Sequence, residues 1–562
     1  MIVKAAEKSI AQLLSTGAAA VALLVTSTIN YDPVNVSKLV LTAGIGFGIW
    51  AVLFSSGLRT LWIESHAISI SALLFLLFGL VSLLLSPASL SQNIFGVFGR
   101  NTGYLAYIAL VGIMLGASLI RTQQYFVWLI RSVVVVGVIN VIYCGVDIIG
   151  PDLIGWNNVY GNILGTFGNP NFISAFLGIF LVMGLGYVFG AGFDWKARVI
   201  AVIIAGLTFF EIVKSHAIQG IAVTGTGLAI IGFFLIRSKS KNSLFTWIYS
   251  TIVVVIGLFA VAGALQTGPL AQYIYKASVS LRGVYWAAGV KMGLENPLTG
   301  VGFDTYGDFY RQVRSAQAMI TPGPQTVTNA AHNVVLDIFA SGGFPLLLSY
   351  LAMIIFASLS IFKVLRRSKQ YDGVFVALAA GWVCYQVQSI VSINQIGLAI
   401  WGWLLTGAVI AYETSTRAGN DVPVAVAPQS KGRSVKASAK KSGSLVLAPA
   451  LGFVVGVLVA FPPFAADVGW RNALKSGNAQ LVYDAALKWP QDSYRFNSIS
   501  RSLAENNLQD QALLVARKSI EFNPNSFDAW RVLATLDTST ESEKAKATEM
   551  MRKLDPRNTN LE

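Results

Sequence analysis

Thirteen stretches of roughly twenty apolar residues limit what this chain can become, because a helix of that length crosses a bilayer. They lie near 9–28, 37–57, 65–86, 103–120, 125–149, 170–190, 196–213, 218–236, 246–266, 335–363, 372–393, 396–413 and 444–465. The lipid interior offers no water to an open backbone, so stretches of this kind fold as helices. Of the 562 residues, 54% are hydrophobic and 12% are charged. A soluble protein carries roughly 25% charged residues. The fold class expected is therefore all-α, a polytopic membrane protein of about 12–13 transmembrane helices. Lys4 and Lys8 precede the first stretch as in a secretory signal. The small residues Gly17 to Ala20, however, precede its apolar core instead of following it, so a retained first span is expected.

Charge placement sets an orientation. With the N-terminus inside, the inside loops hold Arg59, Arg121, Lys196 with Arg198, Arg237 to Lys241, and Lys363 to Lys369. Lys431, Arg433, Lys436, Lys440 and Lys441 fall on the same side, as the positive-inside rule requires. The net charge of +14 is thus read as a topology determinant beside anionic lipid, with no nucleic-acid partner. The domains expected are a membrane domain over 1–413 with a large outer loop at 267–333, a basic cytoplasmic linker at 414–443, one more span at 444–466, and an outer helical domain at 467–562. In that last domain Pro490, Pro524 and Pro556 lie 34 and 32 residues apart, with Trp530-Arg-Val-Leu533 between two of them. This is the period of tetratricopeptide helix pairs, with a plain helical bundle as the alternative.

No nucleotide-binding motif is present, so any chemistry must use a substrate activated before it reaches the outer face. A lipid-diphosphate sugar meets that condition, and a guanidinium is the best bidentate clamp for its phosphates. The outer arginines are Arg100, Arg282, Arg311 and Arg314. Arg100 reads equally as a snorkelling residue at a helix start. Arg282 heads a segment, Arg282 to Gly293, expected as an amphipathic helix lying on the membrane with Arg282 at one end. Arg311 and Arg314, three apart, read as a solvated pair or as loop contacts. His332, the only histidine of the large loop, sits at the threshold of the tenth span, where an imidazole can exchange protons. The alternative is a histidine that caps a helix together with Asn333. Asp337 shares the face of Asn333, which makes it a poor orienter for His332. Glu211 and Lys214, three apart, read as an ion pair, with His216 and Gln219 close behind. Asn296-Pro-Leu-Thr-Gly-Val-Gly302 reads as a tight turn. Glu295, Asp304 and Asp308 have no metal-ligand company, and Cys144 and Cys384 lie in apolar runs, so neither a metal site nor a cofactor is expected.

The series Arg282…Trp286…Pro297-Leu-x-Gly300-x-Gly302…His332-Asn333, then Gly342-Gly343, resembles the O-antigen ligase and polymerase superfamily of membrane glycosyltransferases. Gly99-Arg100-x-x-Gly103 and Gly168-Asn-Pro-Asn171 fit the same pattern, and the resemblance covers roughly residues 35–410. It implies a GT-C-like membrane domain that moves a glycan from a polyprenyl-diphosphate carrier to an acceptor hydroxyl, without metal and with inversion. It implies further that His332 and Arg282 are catalytic, His332 activating the acceptor while Arg282 and Arg100 hold the diphosphate. The family often shows Ser-Arg-Gly where this chain has Lys214-Ser-His-Ala-Ile-Gln-Gly220, so Lys214 and Gln219 are the diphosphate candidates there. His216, Asn333, Arg311 and Arg314 are left as acceptor or loop contacts. The implied partners are the lipid-linked glycan donor, a glycolipid, glycan or protein acceptor, the bilayer, and a protein on the repeat-like domain. A ligase, a polymerase and a protein O-oligosaccharyltransferase share this chemistry. A transporter or an envelope scaffold would lack it.

Overall fold

The computed structural model describes residues 4–156, 158, 161–274, 277–417 and 440–561. Most of the expected basic linker, 418–439, lies outside the described residues. All regular structure among the described residues is helical. In the N-terminal half these helices are α1 (Lys4–Leu23), α2 (Asn35–Val52), α3 (Leu58–Glu64), α4 (His66–Leu85), α5 (Leu90–Phe95), α6 (Tyr104–Ala117), α7 (Gln123–Ile149), α8 (Pro170–Val188), α9 (Trp195–Lys214), α10 (Ile218–Lys239) and α11 (Ser243–Ala264). Next come α12 (Ala271–Ile274), α13 (Ala277–Glu295), α14 (Tyr306–Val313), α15 (Ala316–Ile320), α16 (Val334–Arg367), α17 (Gly373–Ile390), α18 (Ile396–Ser415) and α19 (Lys440–Ser476). The C-terminal helices are α20 (Ala479–Leu487), α21 (Ser493–Glu505), α22 (Gln509–Phe522), α23 (Phe527–Thr535) and α24 (Glu541–Leu554).

Ten of the described helices are long and apolar enough to cross a membrane. The other three expected spans are also helical, as α1, α6 and α9, but α6 has only 14 residues. The centre of the bundle is α18, whose Trp401 is fully buried against α8 and its neighbours.

Glycine stripes set the closest approaches. Gly44 and Gly48 on α2 face Gly452 and Gly456 on α19, where an added Cβ would lie 2.4 Å from Phe47 O and 2.3 Å from Ala43 O respectively. Small residues four apart let membrane helices meet backbone to backbone, and here they fix α19 against α2. Through α19 they also place everything that follows it in the chain.

The tenth expected span is broken. In α16, Gly343 takes φ 64° and ψ −161°, with Pro345 just after it. The 296–302 turn fills the break: Val301 and Gly302 donate to Ala340 O and Ser341 O at 2.8 and 3.0 Å, and Phe344 donates to Pro297 O at 2.8 Å. Gly300, at φ 62°, has room for no side chain, since a Cβ would meet Ser341 C at 2.3 Å. The tight turn expected over 296–302 is thus the plug of a helix break.

Two expectations need correction. The helix carrying Arg282 is longer than 282–293. It packs along α16 with Ala288 and Met292 buried and Gly293 against the Phe339 ring, so it does not lie loose on the membrane. Arg282 sits in its second turn and is itself buried. Nor are Arg311 and Arg314 a solvated pair. Arg314 grips Asp555 with two donors, Nε to Oδ1 at 3.1 Å and an amino nitrogen to Oδ2 at 2.5 Å, and Arg311 reaches Oδ2 at 3.4 Å.

Helices α21 and α22, and α23 and α24, pack as pairs around Phe496, Trp530 and Leu533. Pro490, Pro524 and Pro556 each follow a helix end, where a residue with no N–H to donate does least harm. The clamp at Asp555 ties this domain to α14. Both partners of the Arg314–Asp555 bridge have side-chain exposure of 0%. Removing the carboxylate strands two buried guanidinium groups, at a cost of about 3–5 kcal/mol. Asp555→Ala is expected to free the C-terminal domain, read as faster proteolysis of 477–562 in the detergent-solubilised protein. Wild-type resistance would show that the clamp holds nothing.

Candidate active site

The chain folds back and forth, so the turns after α1, α4, α7, α11 and α17 gather at one end of the bundle with the C-terminal domain. Ion pairs at the other end join Arg121 to Glu64 at 3.0 Å and Glu413 to Arg417 at 2.7 Å and to Arg367. The first end holds a cavity of about 600 Å³.

His332 is on its wall. Three bonds fix the strand of loop before it. The Arg100 guanidinium donates to Asn329 O, Thr328 Oγ1 donates to Ala330 O at 2.8 Å, and Ala331 N–H donates to Asp337 Oδ1 at 2.7 Å. Asn333 then caps α16 by accepting the Leu336 amide at 3.2 Å. The cap is therefore Asn333 alone, and His332 is free of that duty. Its backbone stands at φ 55°, a left-handed conformation that a non-glycine residue holds only when its surroundings impose it. The ring lies 5.8 Å from that of Tyr285 on α13. Burial, with Arg282 and Arg100 nearby, pushes the imidazole down to about 4. At neutral pH it is uncharged and can accept a proton.

Arg100 is 8% exposed and lines the same cavity. Its Nε pairs with Asp304 Oδ1 at 3.1 Å. Asp304 also accepts the amides of Val97 and Thr102 at 3.0 and 3.2 Å, which folds the 96–102 loop around Arg100. Arg282 differs. It is 7% exposed, and among the described residues no carboxylate pairs with it. A guanidinium out of water with no counter-ion is costly, and an anion delivered to it would be held strongly.

The remaining expected residues divide. Gln219, 2% exposed, lines the cavity, donates to Val391 O at 3.0 Å and leaves its Oε1 without a partner. Lys214 does not reach the cavity: it is exposed, with Nζ 5.6 Å from the centre of the Phe210 ring. Nor does it pair with Glu211, which turns into the bundle. His216 is exposed at the head of α10. Arg311 and Arg314 are committed to Asp555 and to the carbonyls of Pro324 and Thr326.

Four contributors are absent from the sequence reading as site residues: Asp304, Asp337 acting on the backbone, the α1–α2 turn, and Arg471 of α19. Amides of Tyr31 and Asp32 in that turn donate to Asp467 Oδ2 at 2.8 and 3.0 Å, and Arg471 donates to Thr28 O and Ser27 O at 2.6 and 3.0 Å. These contacts join residues more than 400 positions apart, beyond the reach of any local pattern.

The electrostatics can be measured without turnover. In a protein carrying His66→Gln and His216→Gln, the one remaining imidazole is expected to titrate near 4 by NMR. Adding Arg282→Gln removes one repelling cation, so the midpoint should move up toward the free value. A midpoint at about 6.5 in both forms would mean that neither burial nor the arginines act on His332.

No curated protein matches the chain. Residues 207–351, from α9 through the first half of α16, match the model of the O-antigen ligase family, and that stretch carries both Arg282 and His332.

Proposed function

We propose that this protein moves a glycan from a polyprenyl-diphosphate carrier to an acceptor hydroxyl. The carrying observation is His332, an imidazole kept neutral on a cavity wall by burial and by two guanidinium groups, one of which has no carboxylate partner among the described residues. His332 accepts the acceptor's hydroxyl proton as that oxygen attacks the anomeric carbon. The bond from that carbon to the diphosphate oxygen breaks, its electron pair leaves with the diphosphate, and attack from the opposite side inverts the centre. Arg282 and Arg100 receive the charge, with Gln219 at the cavity wall as a further contact. No metal enters this scheme. The acceptor is a lipid-linked core glycan in the ligase reading. In the polymerase and protein O-oligosaccharyltransferase readings it is a growing glycan or a protein hydroxyl.

Orientation follows from the basic residues. Arg121, Arg367 and Arg417 occupy the end away from the cavity, so the positive-inside rule puts the cavity and the C-terminal domain outside the cytoplasmic membrane. The helix pairs of that domain suit tetratricopeptide-type binding of a protein partner. An impermeant maleimide applied to intact spheroplasts should label Glu541→Cys and spare Lys369→Cys. The reverse pattern would invert the topology and place the cavity in the cytoplasm.

His332→Ala should lower transfer by about 10²–10⁴-fold while donor binding stays intact, the size of effect that a general base contributes. For Arg282, Lys keeps the charge without the fork and Ala keeps neither, so binding of a purified polyprenyl diphosphate should fall in the order Arg, Lys, Ala. Full activity in His332→Ala, or undiminished affinity in both Arg282 variants, would send the chemistry elsewhere.

A further inference from the structure

The cavity has a cation that the scheme above leaves unused. Arg471 comes from α19, outside the stretch matched to the O-antigen ligase family, yet it lines the same space as His332 and Arg100. Two of its five N–H donors are taken by Thr28 O and Ser27 O. Among the described residues no carboxylate pairs with it, although Asp467 stands one turn away on the same helix. Asp467 turns Oδ2 to the amides of Tyr31 and Asp32 and leaves its buried Oδ1 without a partner. Asp32, also on the cavity wall, is engaged in turn by the amides of Val34 and Asn35 at 3.0 and 3.1 Å. Neither acid pairs with Arg471 among the described residues, and Arg471 keeps three donors beyond the two carbonyls.

The position is built and held. The glycine contacts of α19 with α2 fix its height, and the two carbonyls fix the plane of the guanidinium. On the far side of the α1–α2 turn, Tyr494 stacks on Phe98 at 4.5 Å, and Phe98 N–H donates to Asp492 Oδ2 at 3.2 Å, so the C-terminal domain grips the Arg100 loop as well. Trp156 is another wall residue. A fixed guanidinium and an indole ring lining one cavity are equipment for a sugar ring that bears an anion.

We propose that Arg471 binds a carboxylate carried on a sugar of the transferred glycan or its acceptor, and that the C-terminal segment thereby selects acidic glycans. This rests on the glycan-transfer reading. The diphosphate stays with Arg282 beside His332, and the carboxylate falls to the arginine supplied by α19.

Direct binding to the full-length protein in lipid nanodiscs tests this with three probes: methyl β-glucuronide, methyl β-glucoside and inorganic pyrophosphate. The wild type should hold the glucuronide about tenfold or more tighter than the glucoside, the scale of a hydrogen bond to a charged group. Arg471→Gln should bring the two sugars level, and Arg471→Lys should keep part of the preference. Pyrophosphate affinity should be unchanged in both variants, which shows that the cavity is still formed. Equal binding of the two sugars by the wild type overturns the proposal, as does a preference that survives in Arg471→Gln. A loss of pyrophosphate affinity matching that of glucuronide would overturn it too, placing Arg471 at the diphosphate. If pyrophosphate instead ignores Arg282→Ala, the transfer reading fails on its own while the sugar preference stands or falls separately.

Discussion

A buried carboxylate, Asp304, organises the cavity end of the molecule. Its side chain is fully enclosed, and an enclosed charge is tolerated only with partners on every side. It has them: two amides of the 96–102 loop and the guanidinium of Arg100. One residue therefore joins the turn that plugs α16 to the loop that carries Arg100. Arg100 passes the connection on to Asn329 O, three residues before His332. Take out the carboxylate and Arg100 becomes a further uncompensated cation, with nothing left to shape its loop.

Around this hub the scaffold relies on two different forces. Inside the bilayer no hydrophobic drive separates helix from lipid, so contact comes from close packing, and the glycines of α2 and α19 supply it. Above the bilayer the contacts are ionic and aromatic: Asp555 with Arg311 and Arg314, and Tyr494 with Phe98. The α19 helix links the two sets only through the chain, since the C-terminal helices follow directly after it. The C-terminal domain is in this way carried by a membrane helix on one side and bolted to the loop segment on the other, which leaves it little freedom over the cavity.

What could be read from the sequence follows from the range of the interaction behind it. A run of apolar residues declares a membrane helix by itself, so the spans were legible, even though α6 is short and α16 is broken at Gly343. The meeting of Arg282, Arg100 and His332 was legible only through the order of short motifs. The orientation of single polar residues was not. Lys214 and Gln219 are five positions apart, yet one faces away from the bundle and the other into the cavity, because the chain turns between α9 and α10. Arg311 and Arg314 have a solvated-pair pattern, but their partner Asp555 lies more than 240 residues onward. Asp337 has the wrong helical phase for the imidazole and the right one for the Ala331 amide, a role that side-chain spacing does not reveal.

On the proposed glycan-transfer reading, the electrostatic arrangement favours a particular order of events. The His332 imidazole is a weak base, first because it is buried and then because Arg282 and Arg100 nearby would repel a proton on it. A diphosphate bound beside those arginines brings negative charge and cancels that repulsion. The imidazole then becomes more basic just when the donor is present. In that scheme the cations that would receive the leaving group are also those that restrain the base in its absence. An acceptor hydroxyl entering an empty cavity would meet a poor proton acceptor, and one entering after the donor would meet a competent one. The same few charges in this way link binding of the carrier to readiness for transfer, with no moving part required.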